Sequence, residues 1–380
     1  MLTLNEKESA FYQKFLEIKL EAGNHSPSIY RLLKEFPEVS MTVDACFLCN
    51  PYAFNIFTER LKEVDLTPYV KFYPPQNEEV AQQISAFCGV PTNQILVGNG
   101  AIEIIETLMS KMDQMRICMT LPTFSTYYEV AERVTDDCHY YTFKSDQNFQ
   151  LDVDHYLTWI KDTNPDVVVL VNPNNPTGTL IAKKDILKIW KTLGDDQLLI
   201  VDESFIHFAP GEESIEKDAI GAENLIIIRS LSKDFGIAGI RIGYAVMPTG
   251  MRAELLSTGF LWNSNGLAYY FSTLLSDPSF QKEYKKARER YNKDRDAFYT
   301  ELQKIHNLKV IPSSANFFMI ETEEDPGILF SKLLYNWGIY SRILNDKAGL
   351  EGNYIRIASK DHRENRKMVN ALQKIYNGKN

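Results

Sequence analysis

Apolar residues in this chain gather in short unbroken runs, and the stretches between the runs are amphipathic. VVVLV (167–171), LLIV (198–201) and LIIIR (225–229) are too continuous to alternate and too short to be helices. They predict strands buried on both faces, as in a parallel sheet covered by helices. Residues 94–112 and 115–134 each read as strand, turn and helix, with Gly98 and Gly100 permitting the first turn. Phe11, Phe15 and Ile18 recur at helical spacing, and IYRLLKEF continues that stripe after a break at residues 23–27. A long charged amphipathic helix is predicted over 281–306, followed by strand and helix alternation to the end. The expected fold class is α/β: a large domain built on a three-layer, mostly parallel sheet, with a smaller α+β domain made from both chain ends. The expected division is 45–275 for the large domain and 1–44 plus 276–380 for the small one.

Composition narrows the possible partners. Charged residues make up 24% and the formal net charge is −9. Nucleic acid and anionic membrane surfaces are therefore disfavoured as partners. No apolar run approaches the ~20 residues of a membrane span, and the charged, amphipathic start has no secretory core, which points to the cytoplasm. Cys46, Cys49, Cys88, Cys118 and Cys138 are scattered and odd in number, so they make no disulfide framework. Cys46 and Cys49 form a lone CFLC with no second pair nearby to complete a zinc site. They read as packed thiols, and no metal is expected.

The chemistry concentrates at 230–244, SLSKDFGIAGIRIGY. Lys233 follows a buried strand, at the edge where α/β sheets place ligands. Ser230, Ser232 and Arg241 surround it with hydroxyls and a guanidinium, the groups a phosphate needs. An amine beside a phosphate site suggests pyridoxal 5′-phosphate (PLP) held as a Schiff base on Lys233; the other reading is an ordinary surface lysine. Gly100 and Ala101, opening the helix after the glycine turn, are the candidate backbone donors to the phosphate.

VNPNNPTG (171–178), VDESF (201–205) and the lysine stretch, in this order, resemble the class I/II aminotransferase family of fold-type I PLP enzymes. The subgroup is that of histidinol-phosphate aminotransferases and threonine-phosphate decarboxylases. The resemblance covers roughly 50–371 and implies roles residue by residue. Asp202 would keep the pyridine nitrogen protonated, with Glu203 behind it. Asn175 would bond the phenolic oxygen, while Asn174 reads as a turn residue. Phe124 would stack on the ring, unless it is simply a core phenylalanine, and Tyr127 would face the same pocket. Arg356 would hold the substrate α-carboxylate, and Asn50 would reach the mouth of the site. Tyr73 would cross to a neighbouring subunit's cofactor phosphate in a homodimer, or pack in its own loop. Asn265 and Trp262 would line the substrate side, or serve as a helix cap and a packing residue. His25 would match the histidine of the decarboxylases' N-terminal segment, or be a surface loop residue. Arg342 and Arg363 read as solvated, with Arg342 at most at the pocket mouth, and no arginine is assignable to a substrate phosphate.

One departure bears on the reaction. Where most of the family carries Tyr three residues after the aspartate, this chain has Phe205. One donor to the phenolic oxygen is lost, so the imine pKa should be higher than in Tyr-bearing relatives. Phe at this position is associated with the threonine-phosphate decarboxylase branch. The resemblance implies an aminotransferase moving an amino group between an amino acid, or a phosphorylated amine, and a 2-oxo acid. The alternative is an amino-acid phosphate decarboxylase, and a third reading is a binding module without catalysis, against which Lys233, Asp202 and Arg356 argue. Lys233→Ala should abolish the covalent cofactor adduct; mass-spectrometric detection of an adduct on another lysine would refute the assignment.

Overall fold

A computed structural model describes residues 2–211 and 213–377. Its centre is a seven-stranded sheet in the order Ile95–Gly98, Gly243–Val246, Leu225–Ser230, Leu198–Asp202, Val167–Val171, Ile117–Leu121, Cys138–Thr142. Gly243–Val246 runs antiparallel to both neighbours; the other pairings are parallel. The continuous apolar runs are explained by burial on both faces. Val168, Leu170, Leu199 and Val201 face one core. Val167, Val169, Ile200, Ile226 and Ile228 face the other. Helices cover each face, giving the expected three layers.

The topology sets where a ligand can enter. The chain lays down Ile117–Leu121, adds Cys138–Thr142 at the edge, then returns to place Val167–Val171 on the opposite side. A reversal of this kind leaves a crevice beyond the carboxyl ends of the strands. At the same carboxyl end of the sheet, Ile95–Gly98 runs into the helix Ala101–Met109, and the antiparallel strand begins just after Arg241.

Both chain ends pack together. Leu2, Val43 and Ala45 share a core with Phe298, Phe318, Ile355 and Met368. Phe11, Phe15 and Leu32, from helices Glu6–Glu21 and Ile29–Glu35, pack against Phe330, Leu334 and Tyr340. An antiparallel four-stranded sheet carries Tyr354–Ala358 beside Phe317–Glu321. The long helix spans Pro278–Gln303.

Ahead of Asn50 the chain forms only a short strand, Val43–Asp44, which pairs with Ile339–Tyr340. Asn50 instead caps the helix Pro51–Glu63, accepting from the backbone N–H of Tyr52 at 3.0 Å and Ala53 at 3.4 Å. Pro51 suits the first helical position because its missing N–H would be unpaired there anyway. The Asn50 N–H in turn donates to the Lys233 carbonyl at 2.9 Å, which anchors the lysine turn.

Gly236 completes that anchor. Its φ is +69°, and a Cβ there would run into the Asn50 carbonyl oxygen. Gly236→Ala should therefore cost about 2 kcal/mol or more of stability, read as a lowered urea midpoint. An unchanged midpoint would mean that the turn relaxes freely.

Candidate active site

The carboxyl edge of the sheet opens into a cleft of about 390 Å³. Lys233 lies on the short helix Leu231–Asp234 that follows Leu225–Ser230, and its side chain lines the cleft. Burial lowers its pKa, and the Arg356 and Arg241 charges act the same way against Cys49 and Asp202. A lysine pushed toward its neutral form is a better carbonyl nucleophile.

Asp202 ends its strand 3% exposed. Its Oδ1 accepts from the Ser204 N–H at 2.8 Å and its Oδ2 from the Tyr127 hydroxyl at 2.9 Å. Burial pushes the carboxyl up, while these bonds and the Lys233 charge pull it down. Tyr127 is fully buried and stands behind Asp202, outside the set of residues lining the cleft.

Arg356 enters from Tyr354–Ala358. It donates to Asn175 Oδ1 at 2.6 Å and to the Cys46 carbonyl at 2.9 Å, and lies 5.1 Å from the centroid of the Phe317 ring. Its Nε is buried without a partner among the described residues. Burial brings its pKa down to about 10. Phe205 also lines the cleft, packed edge-on against Phe317 with ring centroids 5.3 Å apart.

Ala101, Phe124, Asn175, Ser230 and Arg241 line the same cleft. Gly100 caps the helix Ala101–Met109 with φ +81° and no side-chain capping bond. The first-turn N–H groups of that helix are therefore left for a ligand. A Cβ on Gly100 would strike the Arg241 guanidinium, so only glycine leaves room where these groups meet.

Several expected residues sit elsewhere. Ser232 is buried and donates to the Ile242 carbonyl at 3.3 Å. Asn50 is fully buried and occupied as a helix cap, although its Nδ2 has no partner among the described residues. Asn265 caps Gly266–Leu275, accepting from the Ala268 N–H at 2.9 Å and donating to the Ile240 carbonyl at 2.8 Å. Tyr73 is 80% exposed and rests against Trp262, with ring centroids 4.9 Å apart. Neither of those two rings lines this cleft.

The structure also adds residues. Arg342, expected to be solvated, is buried and lines the cleft beside Lys347, which sequence reasoning passed over. The Asn24 carbonyl accepts from Arg342 Nη2 at 2.8 Å and from Lys347 Nζ at 2.9 Å. His25 lines the cleft mouth with its ring centroid 6.1 Å from that of Phe124. Arg363 is exposed, as expected. No motif marks Lys347; its only sequence signal is a cation in a loop two residues before Gly349.

This donor set fits PLP. An enclosed amine, a buried carboxylate, an aromatic ring, and an uncapped helix end with a guanidinium can hold its aldehyde carbon, ring nitrogen, ring face and phosphate respectively. A profile of the family described as Aminotransferase class I and II matches residues 51–372.

The chain belongs to that family.

It is a PLP-dependent enzyme. It is 41% identical to an L-serine phosphate decarboxylase of Campylobacter jejuni over 99% of each chain. It is 32% identical to a histidinol-phosphate aminotransferase of Methanococcus aeolicus over 86% of this chain and 88% of the relative. The solved structure of a decarboxylase from Sulfurospirillum multivorans superposes with a TM-score of 0.92 at 36% identity, covering 98% of both chains. These likenesses overturn the aminotransferase expectation. The two decarboxylases match nearly end to end and at higher identity than the aminotransferase. The three shared motifs report how PLP is held, which is common to both reactions, and so favoured the wrong one.

Tyr127→Phe removes one donor to the Asp202 carboxylate. A hydrogen bond to a charged group contributes about 1.5–3 kcal/mol, so PLP affinity should fall at least tenfold. The loss should grow as pH falls, because that bond favours the ionised carboxyl. Titration of the apoprotein with PLP measures this; unchanged affinity would leave Tyr127 a packing residue.

Proposed function

We propose that this chain is a PLP-dependent decarboxylase of a small O-phosphorylated L-amino acid, with L-serine phosphate the first candidate. The observation that carries this reading is the cation pair Arg342 and Lys347, which faces the cleft in addition to Arg356. A simple amino acid brings one anionic group beyond the cofactor, and Arg356 suits it. A phosphorylated one brings two, and the pair suits the second. The near end-to-end likeness to an L-serine phosphate decarboxylase supports the same substrate class.

Bound PLP supplies an electron sink for the pair left behind when the carboxylate departs as carbon dioxide. The chain's residues set up that event. Arg342 and Lys347 would anchor the phosphate at one end of the substrate, and Asp202 would hold the cofactor at the other. Two fixed ends would set the direction of the bond to the carboxylate. Arg356 orients the carboxylate beforehand. Lys233 Nζ, once released, is placed to deliver the proton that replaces it. Phe205 and Phe317 keep an apolar wall at the site, which favours a neutral departing product over a charged carboxylate.

Lys347 adds a pH signature. Burial, with Arg342 beside it, brings its pKa down to about 7. Arg342, Arg356 and His25 face it as cationic or titratable groups, opposed by Asp346 and Glu129. In the free site it is cationic below that pH and neutral above it, so phosphate capture should weaken as pH rises through about 7.

The exposed rings of Phe72, Tyr73 and Trp262, with Leu261, support assembly as a homodimer, in which Tyr73 remains the candidate to reach the partner subunit's phosphate site.

Comparing kcat/KM for O-phospho-L-serine and L-serine tests the substrate class. Lys347→Met should lower the value for the phosphorylated substrate by about 10²-fold, the cost of a charge-assisted contact, and leave L-serine little changed. Lys347→Arg should retain the preference but lose the alkaline limb near pH 7. Equal losses on both substrates would refute a phosphate role.

A further inference from the structure

Behind Lys233, away from the cleft, lies a buried chain of ionisable groups that the reaction scheme does not use. Asp234, next to Lys233, is 3% exposed, and its Oδ2 accepts from His207 Nδ1 and from the Tyr284 hydroxyl at 2.6 Å. Arg229 Nη2 donates to His207 Nε2. Arg229 Nη1 donates to Glu203 Oε2 at 2.9 Å, and Glu203, next to Asp202, is 1% exposed. The Ser214 hydroxyl and the Ile215 N–H hold the Glu203 carboxylate, the latter at 2.8 Å. The chain of groups runs carboxylate, imidazole, guanidinium, carboxylate. The arginine donating to Nε2 leaves His207 with its proton on Nδ1, directed at Asp234.

We propose that Asp234, His207, Arg229 and Glu203 act as a positioning network that fixes the direction of Lys233 relative to Asp202. Each end of the network is the sequence neighbour of one of those two residues. The helix that carries Lys233 spans only Leu231–Asp234, too short to hold a direction by itself. Asp234 is its last residue, and its side chain is tied to the network, while the Lys233 side chain turns into the cleft. Glu203 follows its strand directly, and its N–H donates to the Ile228 carbonyl at 2.8 Å, beside the strand that bears Arg229. The network extends that register past the strand ends, where backbone pairing stops. Burying these charges costs more than apolar side chains of the same volume would, and what they add over apolar packing is directional bonding between defined atoms.

This inference rests on PLP binding alone, and it holds whether or not the substrate is phosphorylated. The test compares His207→Ala with His207→Asn, whose amide restores a donor near the Nδ1 position. Two readouts are made apart from turnover: PLP affinity of the apoprotein, and the pH midpoint of the visible band of the holoenzyme. His207→Ala should weaken PLP about tenfold and shift the midpoint, and His207→Asn should recover most of both. If His207→Ala does not fold, Tyr284→Phe, which deletes a single hydroxyl, should give smaller shifts of the same sign. Wild-type affinity and midpoint in His207→Ala, or in Tyr284→Phe where only that variant folds, would overturn the proposal even if thermal stability fell. Equal defects in the Ala and Asn variants would overturn it as well.

Discussion

Positive charge in excess of the carboxylates around it is the constraint on which the site depends. The chain carries a net charge of −9. Yet Lys233, Arg241, Arg342, Lys347 and Arg356 face one cleft, with Asp202 the carboxylate among the residues lining it. Burial has already driven Lys347 down to about 7 and Arg356 to about 10, and it lowers Lys233 too. Groups in that condition gain from any anion that displaces water and supplies acceptors. The Asn24 carbonyl gives Arg342 and Lys347 a neutral acceptor, and Asp346 offers Arg342 a carboxylate at 2.6 Å. In the proposed reading, anionic ligands would complete the balance: the cofactor's phosphate at Arg241, and the substrate's two anions at Arg356 and at the Arg342–Lys347 pair.

The fold makes this arrangement possible by bringing distant segments to one edge. Parallel strands buried on both faces end together, and each delivers one group: Phe124, Asn175, Asp202 and Lys233 in turn. The glycine turn before Ala101–Met109 adds an open helix end, and the antiparallel strand that starts after Arg241 closes that side. The cations proposed for the substrate come from elsewhere: Arg342 and Arg356 from the antiparallel sheet, and Lys347 from the loop between their strands. On that reading, cofactor and substrate would be held by different layers of the molecule, so one could vary while the other is kept.

That separation explains what was legible in the sequence. The strands were readable because burial on both faces forces unbroken apolar runs. That Lys233, Asp202, Asn175 and Arg356 share one cleft was legible because each sits in a compact motif. Ser232, Asn50 and Asn265 fall outside its lining because hydroxyls and carboxamides serve backbone caps and carbonyls as readily as ligands, and sequence does not distinguish the two uses. Lys347 and the burial of Arg342 were not legible. Both depend on how a loop near the chain end folds against Asn24, more than three hundred residues earlier. The reaction was misjudged for a related reason: the motifs describe cofactor retention, which aminotransferases and decarboxylases of the family share. Phe205, the one departure noticed, lies in the apolar wall beside Phe317 and pointed toward decarboxylation.

The most direct measurement is a single turnover of the PLP-loaded protein with O-phospho-L-serine labelled at the carboxyl carbon. The account predicts that the label leaves as carbon dioxide, that O-phosphoethanolamine forms, and that the cofactor returns to its aldehyde form. Label retained in a 2-oxo acid, with the cofactor left as pyridoxamine phosphate, would contradict it.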